Sequence, residues 1–95
     1  MFEAVKRRLG ISEAVMVYDD EIKGYLDDCL QDMIASGVPA PVVESESRSV
    51  LTAATLYVKA YMGNDRTDTE QYLDLYRKKV FRLTLEPDWS ESDVE

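Results

Sequence analysis

The chain has 95 residues, 45% of them hydrophobic, and a formal net charge of −8. This length supports one compact domain and leaves no room for a second, while the acidic balance disfavours indiscriminate binding to DNA or to anionic membranes. Cys29 is the only cysteine, which excludes an internal disulfide, and no apolar run is long enough for a transmembrane helix or a secretion signal. We therefore expect cytosolic folding and no association with a membrane.

The first predicted element is a short helix near the start of the chain. Phe2, Val5 and Leu9 recur on one helical face, and Gly10 can end the helix. Residues 11–18 are apolar without clear helical spacing. The sequence leaves open whether they form a packed connector or a short extended segment.

The second helix, over residues 20–36, has the clearest signal, because its apolar side chains recur every three or four residues. These side chains are Ile22, Tyr25, Leu26, Cys29, Leu30, Met33 and Ile34. Asp19 and Asp20 suit the N-cap and the first turn, and Gly37 followed by Pro39 suits the end. Since Cys29 lies on the apolar face, we interpret it as a core residue and not as a nucleophile.

Residues 37–47 are predicted to cross the domain as an extended linker, because Pro39 and Pro41 oppose a regular helix. A third helix over residues 47–62 is apolar almost all round, with a narrow polar stripe at Thr52, Thr55 and Lys59. A helix of this kind must be buried on more than one side.

A fourth helix begins near Thr67 and Glu70, which form a capping-box signature, and Pro87 is expected to stop it. Its predicted inward face consists of Tyr72, Leu73, Tyr76, Val80 and Leu83. We expect residues 1–85 to form the domain and residues 86–95 to form a mobile acidic tail. The predicted fold class is all-α, a compact antiparallel bundle of about four helices of which the first is short.

The sequence offers no recognisable catalytic, cofactor-binding or metal site. It has no histidine, which removes the commonest general base and transition-metal ligand. The pairs Asp19-Asp20 and Asp27-Asp28 would point about 100° apart on a helix and would not converge on one substrate. Residues 64–68 lack the glycine and the closing glutamate of a calcium loop. We therefore predict that the protein is not an enzyme and needs no cofactor or metal.

Opposite charges lie on different segments of the chain. Residues 19–36 and 86–95 are strongly acidic, whereas basic clusters lie at residues 6–8 and 77–82. Complementary patches of this kind favour contacts between copies of one chain. The candidate subunit contacts are Lys6, Arg7, Arg8, Asp27, Asp28, Asp32, Arg77, Lys78 and Arg82. Trp89, in the acidic tail, either folds back on the core or anchors on a partner protein.

Four stretches of the chain carry a resemblance to a known family. They are residues 2–11 (FEAVKRRLGI), 19–22 (DDEI), 53–64 (AATLYVKAYMGN) and 72–80 (YLDLYRKKV), and together they span most of residues 2–83. Their order resembles that of the head-tail connector proteins of long-tailed bacteriophages, which are also called head-completion or adaptor proteins. None of the stretches is a catalytic fingerprint, so the resemblance is one of pattern, length and element order.

The resemblance implies a structural protein of the virion, made in the cytoplasm of the host bacterium. Its copies would form a ring at the head-tail junction, dock under the portal protein, extend the DNA channel and receive a tail-side completion protein. DNA would pass through without specific binding.

An alternative follows from charge alone. The chain could be an acidic DNA mimic or a regulatory protein-binding module. In that reading the carboxylates of the second helix imitate phosphates and occupy a nucleic-acid-binding protein.

Overall fold

The structure is a computed structural model that describes residues 1–63 and 66–85. Five helices follow one another: α1 (Phe2–Arg8), α2 (Asp19–Ala35), α3 (Ala40–Glu44), α4 (Arg48–Met62) and α5 (Arg66–Thr84). No β-strand occurs in these residues, and the predicted all-α class is confirmed. The acidic tail at residues 86–95, with Trp89, lies outside the described part of the chain, and so does the side chain of Thr67, on which the predicted capping box depends.

Helices α1 and α2 end in the same way, each at a glycine that the sequence indicated. Gly10 has φ +80° and Gly37 has φ +106°, a left-handed conformation that a residue with a Cβ adopts only with strain. The N–H of Ile11 donates to the carbonyl of Lys6 at 3.2 Å, and that of Val38 donates to Met33 at 3.0 Å. These bonds satisfy carbonyls that each helix end would otherwise leave without a partner.

Helix α2 begins one residue earlier than predicted, and Asp19 does not cap it. Tyr18 occupies the N-cap position and makes no side-chain capping bond. Asp19 lies in the first turn, where its negative charge meets the positive end of the helix dipole. Its carboxylate is directed to Lys6 of α1 instead of to the backbone of its own helix.

The prediction of an extended linker over residues 37–47 is wrong in its centre, where α3 forms. Pro39 is the N-cap of α3 and Pro41 lies in its first turn. In these positions a proline removes no helical hydrogen bond, because the first N–H groups of a helix have no intrahelical acceptor. The short helix buries Val42 and Val43 against the rest of the core, and α3 packs on α2.

Helix α4 lies at the centre of the fold and contacts α1, α2 and α5. The hydroxyl of Ser47 caps it by accepting the N–H of Val50 at 3.3 Å. Ala53 and Ala54 are fully buried, and their small side chains allow the neighbouring helices to approach closely. The predicted burial of this helix on more than one side is confirmed.

Helix α5 packs on α4 over most of its length. The two helices are joined by only three residues, which makes them an antiparallel hairpin. On the predicted inward face, Tyr76, Val80 and Leu83 are buried, while Tyr72 and Leu73 are half-buried. The opposite side of α5 has no neighbour among the described helices.

Two isoleucines on α2 provide a matched test of this packing. Ile22 is fully buried, whereas Ile34 is 51% exposed. We expect Ile22→Ala to lower the free energy of unfolding by about 2–5 kcal/mol, because the change removes buried methyl groups and leaves a cavity. Ile34→Ala should stay within about 0.5 kcal/mol of the wild type. Urea unfolding of both variants measures the difference, and equal losses would mean that α2 is rotated about its axis.

Candidate interaction surfaces

Lys6 is the most deeply buried charged side chain of the structure among the described residues. Its side chain is 4% exposed, and its Nζ lies 2.8 Å from Oδ1 of Asp19. The same ammonium group donates to the backbone carbonyl of Glu13 at 3.3 Å. Apart from the ion pair with Lys6, the buried Oδ1 of Asp19 has no hydrogen-bond partner in the described residues. Lys6 therefore connects α1 to the middle of the segment that joins α1 to α2 and to the first residue of α2.

This placement separates Lys6 from the other predicted subunit contacts. A side chain enclosed in this way is not available to a neighbouring copy. The charge pattern of the sequence suggested that Lys6 is at the surface, whereas the structure buries it. The ring of Phe2 lies between Lys6 and Lys23, whose Nζ atoms are 5.7 and 4.9 Å from the ring centroid. These contacts hold the start of α1 against α2.

The segment between α1 and α2, left open by the sequence, forms two successive turns. The N–H of Val15 donates to Ser12 at 3.0 Å, and that of Asp19 donates to Met16 at 3.1 Å. The turns present four consecutive hydrophobic side chains to solvent, residues 15–18, which we call the apolar loop. Met16 and Val17 are 70% and 78% exposed. A run of exposed apolar residues of this kind is unusual unless it contacts another molecule.

A second apolar surface lies on the outward side of α5. Leu75, Phe81 and Leu85 are exposed there. Phe81 and Leu85 line one shallow depression and Leu75 lines another, next to α4, and both depressions are also lined by cations. These cations are Arg77, Lys78, Lys79 and Arg82. We call this surface, from residue 75 to residue 85, the outer face of α5.

The remaining predicted contact residues are at the surface. Arg77, Lys78 and Arg82 are brought together on the outer face of α5, where Lys78 also pairs with Asp74 of the same helix at 3.2 Å. Asp27 and Asp28 are exposed on α2. Their role as subunit contacts stays a prediction.

Two arginines of α1 and one carboxylate of α2 already have partners within the chain. Arg8 donates to Oγ1 of Thr52 at 3.0 Å, and exposed Arg7 lies 3.9 Å from Glu13. Asp32 accepts the hydroxyl hydrogen of Tyr76 at 2.7 Å. A neighbouring copy would compete with these bonds.

A polar chain that the sequence did not reveal links α2 to α5 inside the core. The thiol of Cys29 donates to Oη of Tyr76 at 3.7 Å, and Tyr76 donates to Asp32. Burial raises the pKa of the Cys29 thiol to about 12, against an opposing effect of the Tyr76 bond and with a further contribution from Asp32. Burial, followed by the bond to Asp32, raises the pKa of Tyr76. Both groups are therefore protonated at neutral pH, and the core assignment of Cys29 is confirmed by its complete burial.

Three further tyrosines extend this cluster from Tyr76 to the surface between α2 and α4. Ring centroids lie 5.1 Å apart for Tyr76 and Tyr57, 4.8 Å for Tyr57 and Tyr61, and 5.7 Å for Tyr61 and Tyr25. Such offset and edge contacts stabilise a fold beyond the area they bury. Burial, with the charges of Tyr61 and Asp28, raises the pKa of Tyr57 to about 12.

The described residues contain no group of three or more histidine, cysteine, aspartate or glutamate side chains placed to hold a metal ion. Within the same residues, no helix has both the length and the hydropathy that crossing a bilayer requires.

The buried Lys6 ion pair should matter for stability, whereas its exposed neighbour should not. Lys6→Met keeps most of the apolar stem but leaves Asp19 without its counter-charge, which we expect to cost roughly 2–4 kcal/mol. Arg7→Met, one residue away on the exposed side, should change the free energy of unfolding by no more than about 0.5 kcal/mol. Urea denaturation of the two variants checks this, and a neutral Lys6→Met would refute the assigned pair.

The core thiol and phenols should make the fold sensitive to alkali. Their pKa values are higher in the folded state than the ordinary 9.0 of cysteine and 10.0 of tyrosine, so the folded state retains protons that the unfolded chain releases. The contribution of these groups to the free energy of unfolding should therefore be constant below about pH 9 and should fall as the pH rises towards 12.

Unfolding free energies measured across that pH range test this sign. Cys29→Ala and Tyr57→Phe should each flatten the decline, because each removes one group that titrates differently in the two states. A decline of unchanged steepness in both variants would show that these groups do not cause it.

The fold and these surfaces were compared with known proteins. A family model with the description "Phage connector protein" matches residues 1–90, a range that includes all five helices. Comparison with curated proteins and with solved structures gave no match.

Proposed function

Since the chain belongs to the phage connector protein family, its role is structural and it is a component of the phage particle, and we propose that it is one subunit of a ring-shaped head-tail connector. In this proposal, copies of the chain dock under the portal protein and extend the DNA channel. The free side of the ring receives the next tail-side protein. DNA passes through the channel without sequence-specific contacts.

One observation supports the ring in particular, namely that apolar surface remains uncovered on the single chain. Helix α4 is largely enclosed by its own chain, but the apolar loop and the outer face of α5 are not. Exposed hydrophobic surface bordered by charges is typical of sites where proteins associate. Exposed carboxylates on α2 and exposed cations on α5 also give one chain surface charges of both signs, which a contact between copies can pair.

The predicted division of the chain is part of this proposal. Residues 1–85 act as the helical connector domain, and residues 86–95 act as an acidic extension. Trp89 in that extension is a candidate anchor on a partner, because tryptophan is favoured where proteins bind tightly. The DNA-mimic alternative rests on Asp27, Asp28 and Asp32 alone, and it leaves the apolar surfaces unexplained.

The proposal is tested with the purified chain and the portal ring of the same phage. We expect electron microscopy to show a ring of the chain on one side of the portal, and sedimentation velocity to show co-migration of the two proteins. A chain that remains monomeric by itself and does not bind the portal would contradict the proposal.

The same preparation distinguishes the connector ring from the DNA-mimic alternative. The triple change of Asp27, Asp28 and Asp32 to Asn keeps side-chain size but removes the charges. A chain that captures a nucleic-acid-binding host protein, and loses it in the triple variant while never binding the portal, would favour the mimic.

A further inference from the structure

The exposed hydrophobic side chains of this chain are concentrated in two places. Among the described residues, nine large hydrophobic side chains are exposed, four of them in the apolar loop and three on the outer face of α5. The other two, Ile34 and Tyr61, lie singly on α2 and α4. Isolated exposed apolar residues are normal, whereas contiguous ones indicate contact with another molecule.

The apolar loop is held in one shape before any partner binds. Lys6 bonds to the carbonyl of Glu13 on one side of the loop and to the carboxylate of Asp19 on the other. Each of the two turns closes with a backbone hydrogen bond. A loop ordered in this way loses little conformational freedom on binding, which favours affinity.

The net charges around the two surfaces are opposite in sign, although each rim includes one charge of the other sign: Arg7 lies 3.9 Å from Glu13, and Asp74 lies 3.2 Å from Lys78. Glu13, Asp20 and Glu21 flank the apolar loop and are exposed. Three exposed cations, Arg77, Lys78 and Arg82, line the same depression on the outer face of α5 as Phe81 and Leu85. An apolar centre with charges at its rim matches the composition of protein interfaces, and opposite rims give such an interface its register.

We propose that the apolar loop of one copy docks on the outer face of α5 of the next copy. We choose a second copy as the partner because one chain carries both complementary surfaces: the apolar loop with its acidic rim, and the apolar side chains of the outer face of α5 with their basic rim. The two surfaces share no residue, so the contact is heterologous, and repeating it generates a closed ring when the rotation between copies closes. This inference rests on the proposed ring and assigns its subunit interface.

Cysteine cross-linking tests the contact directly. Cys29 is buried, so the wild-type chain should give little cross-linked product and each introduced cysteine adds one accessible thiol. Chains carrying Met16→Cys are mixed with chains of a different tag length carrying Phe81→Cys, assembled on the portal, and treated with a short bismaleimide. We expect mixed dimers to form at least about tenfold faster than dimers within either single-cysteine preparation, because docking holds the two thiols together.

A control uses a position of similar exposure outside the proposed contact. Ile34 is 51% exposed and Phe81 is 63% exposed, so random encounters should be equally frequent at both. Chains with Ile34→Cys should give no excess of mixed dimers with Met16→Cys chains. The double variant Met16→Cys/Phe81→Cys should give a ladder of covalent oligomers, whereas Met16→Cys/Ile34→Cys should not.

Aspartate substitutions supply a second measurement that does not depend on cross-linking. Val17→Asp and Phe81→Asp place a charge in the apolar centre of the contact, and each should weaken association between copies by about tenfold or more. Ile34→Asp should leave it within about twofold. Circular dichroism of the isolated variants confirms that each chain is folded before assembly is measured.

The outcomes separate this inference from the proposed function. Rings that form on the portal but cross-link no better through Phe81→Cys than through Ile34→Cys would overturn the inference and leave the ring proposal intact. A wild-type chain that forms no ring at all would overturn both. Excess mixed dimers at Phe81→Cys, together with weak assembly of Val17→Asp, would establish the contact.

Discussion

Close packing on α4 is the constraint on which the rest of this structure depends. A chain of 95 residues has one core, and here α4 occupies its centre, with α1, α2 and α5 packed around it. Ala53 and Ala54 let the flanking helices approach, and the other apolar positions of α4 are buried or half-buried, apart from exposed Tyr61. No helix among the described residues covers the far side of α5. The hydrophobic side chains at positions 75, 81 and 85 therefore stay exposed, and the chain has surface that another molecule can bury.

Lys6 shows how the fold turns a buried charge into a structural support. An ion pair inside a small domain is a weak source of net stability, because desolvation offsets most of the attraction. Its value here is geometric, since one ammonium group holds Glu13 and Asp19 at the two sides of the apolar loop. The same residue that looked like a surface contact in the sequence thereby fixes the shape of a surface several residues away.

The helices could be predicted from the sequence because their signals are local. The apolar period of α2 and the glycines after α1 and α2 predicted the end of α1 and both ends of α2 to within one or two residues. The prolines of the linker were misjudged, since Pro39 and Pro41 fall in the N-cap and first turn of α3, where a proline is tolerated. Lys6 was misjudged because its partner Asp19 is distant in sequence, and charge counts carry no information about such pairs. The bond from Tyr76 to Asp32 and the exposure of the apolar loop depend in the same way on tertiary packing.

The central claim is that the surfaces left uncovered by packing on α4 are covered by the next copy of the chain. A cryo-electron microscopy structure of the connector assembled on its portal tests this most directly. The account predicts a ring in which residues 15–18 of each subunit lie against the α5 helix of its neighbour, with the acidic residues beside the loop facing the cations of α5. A ring in which both surfaces face solvent, or in which Asp27 and Asp28 contact the neighbouring copy while residues 15–18 do not, would contradict it.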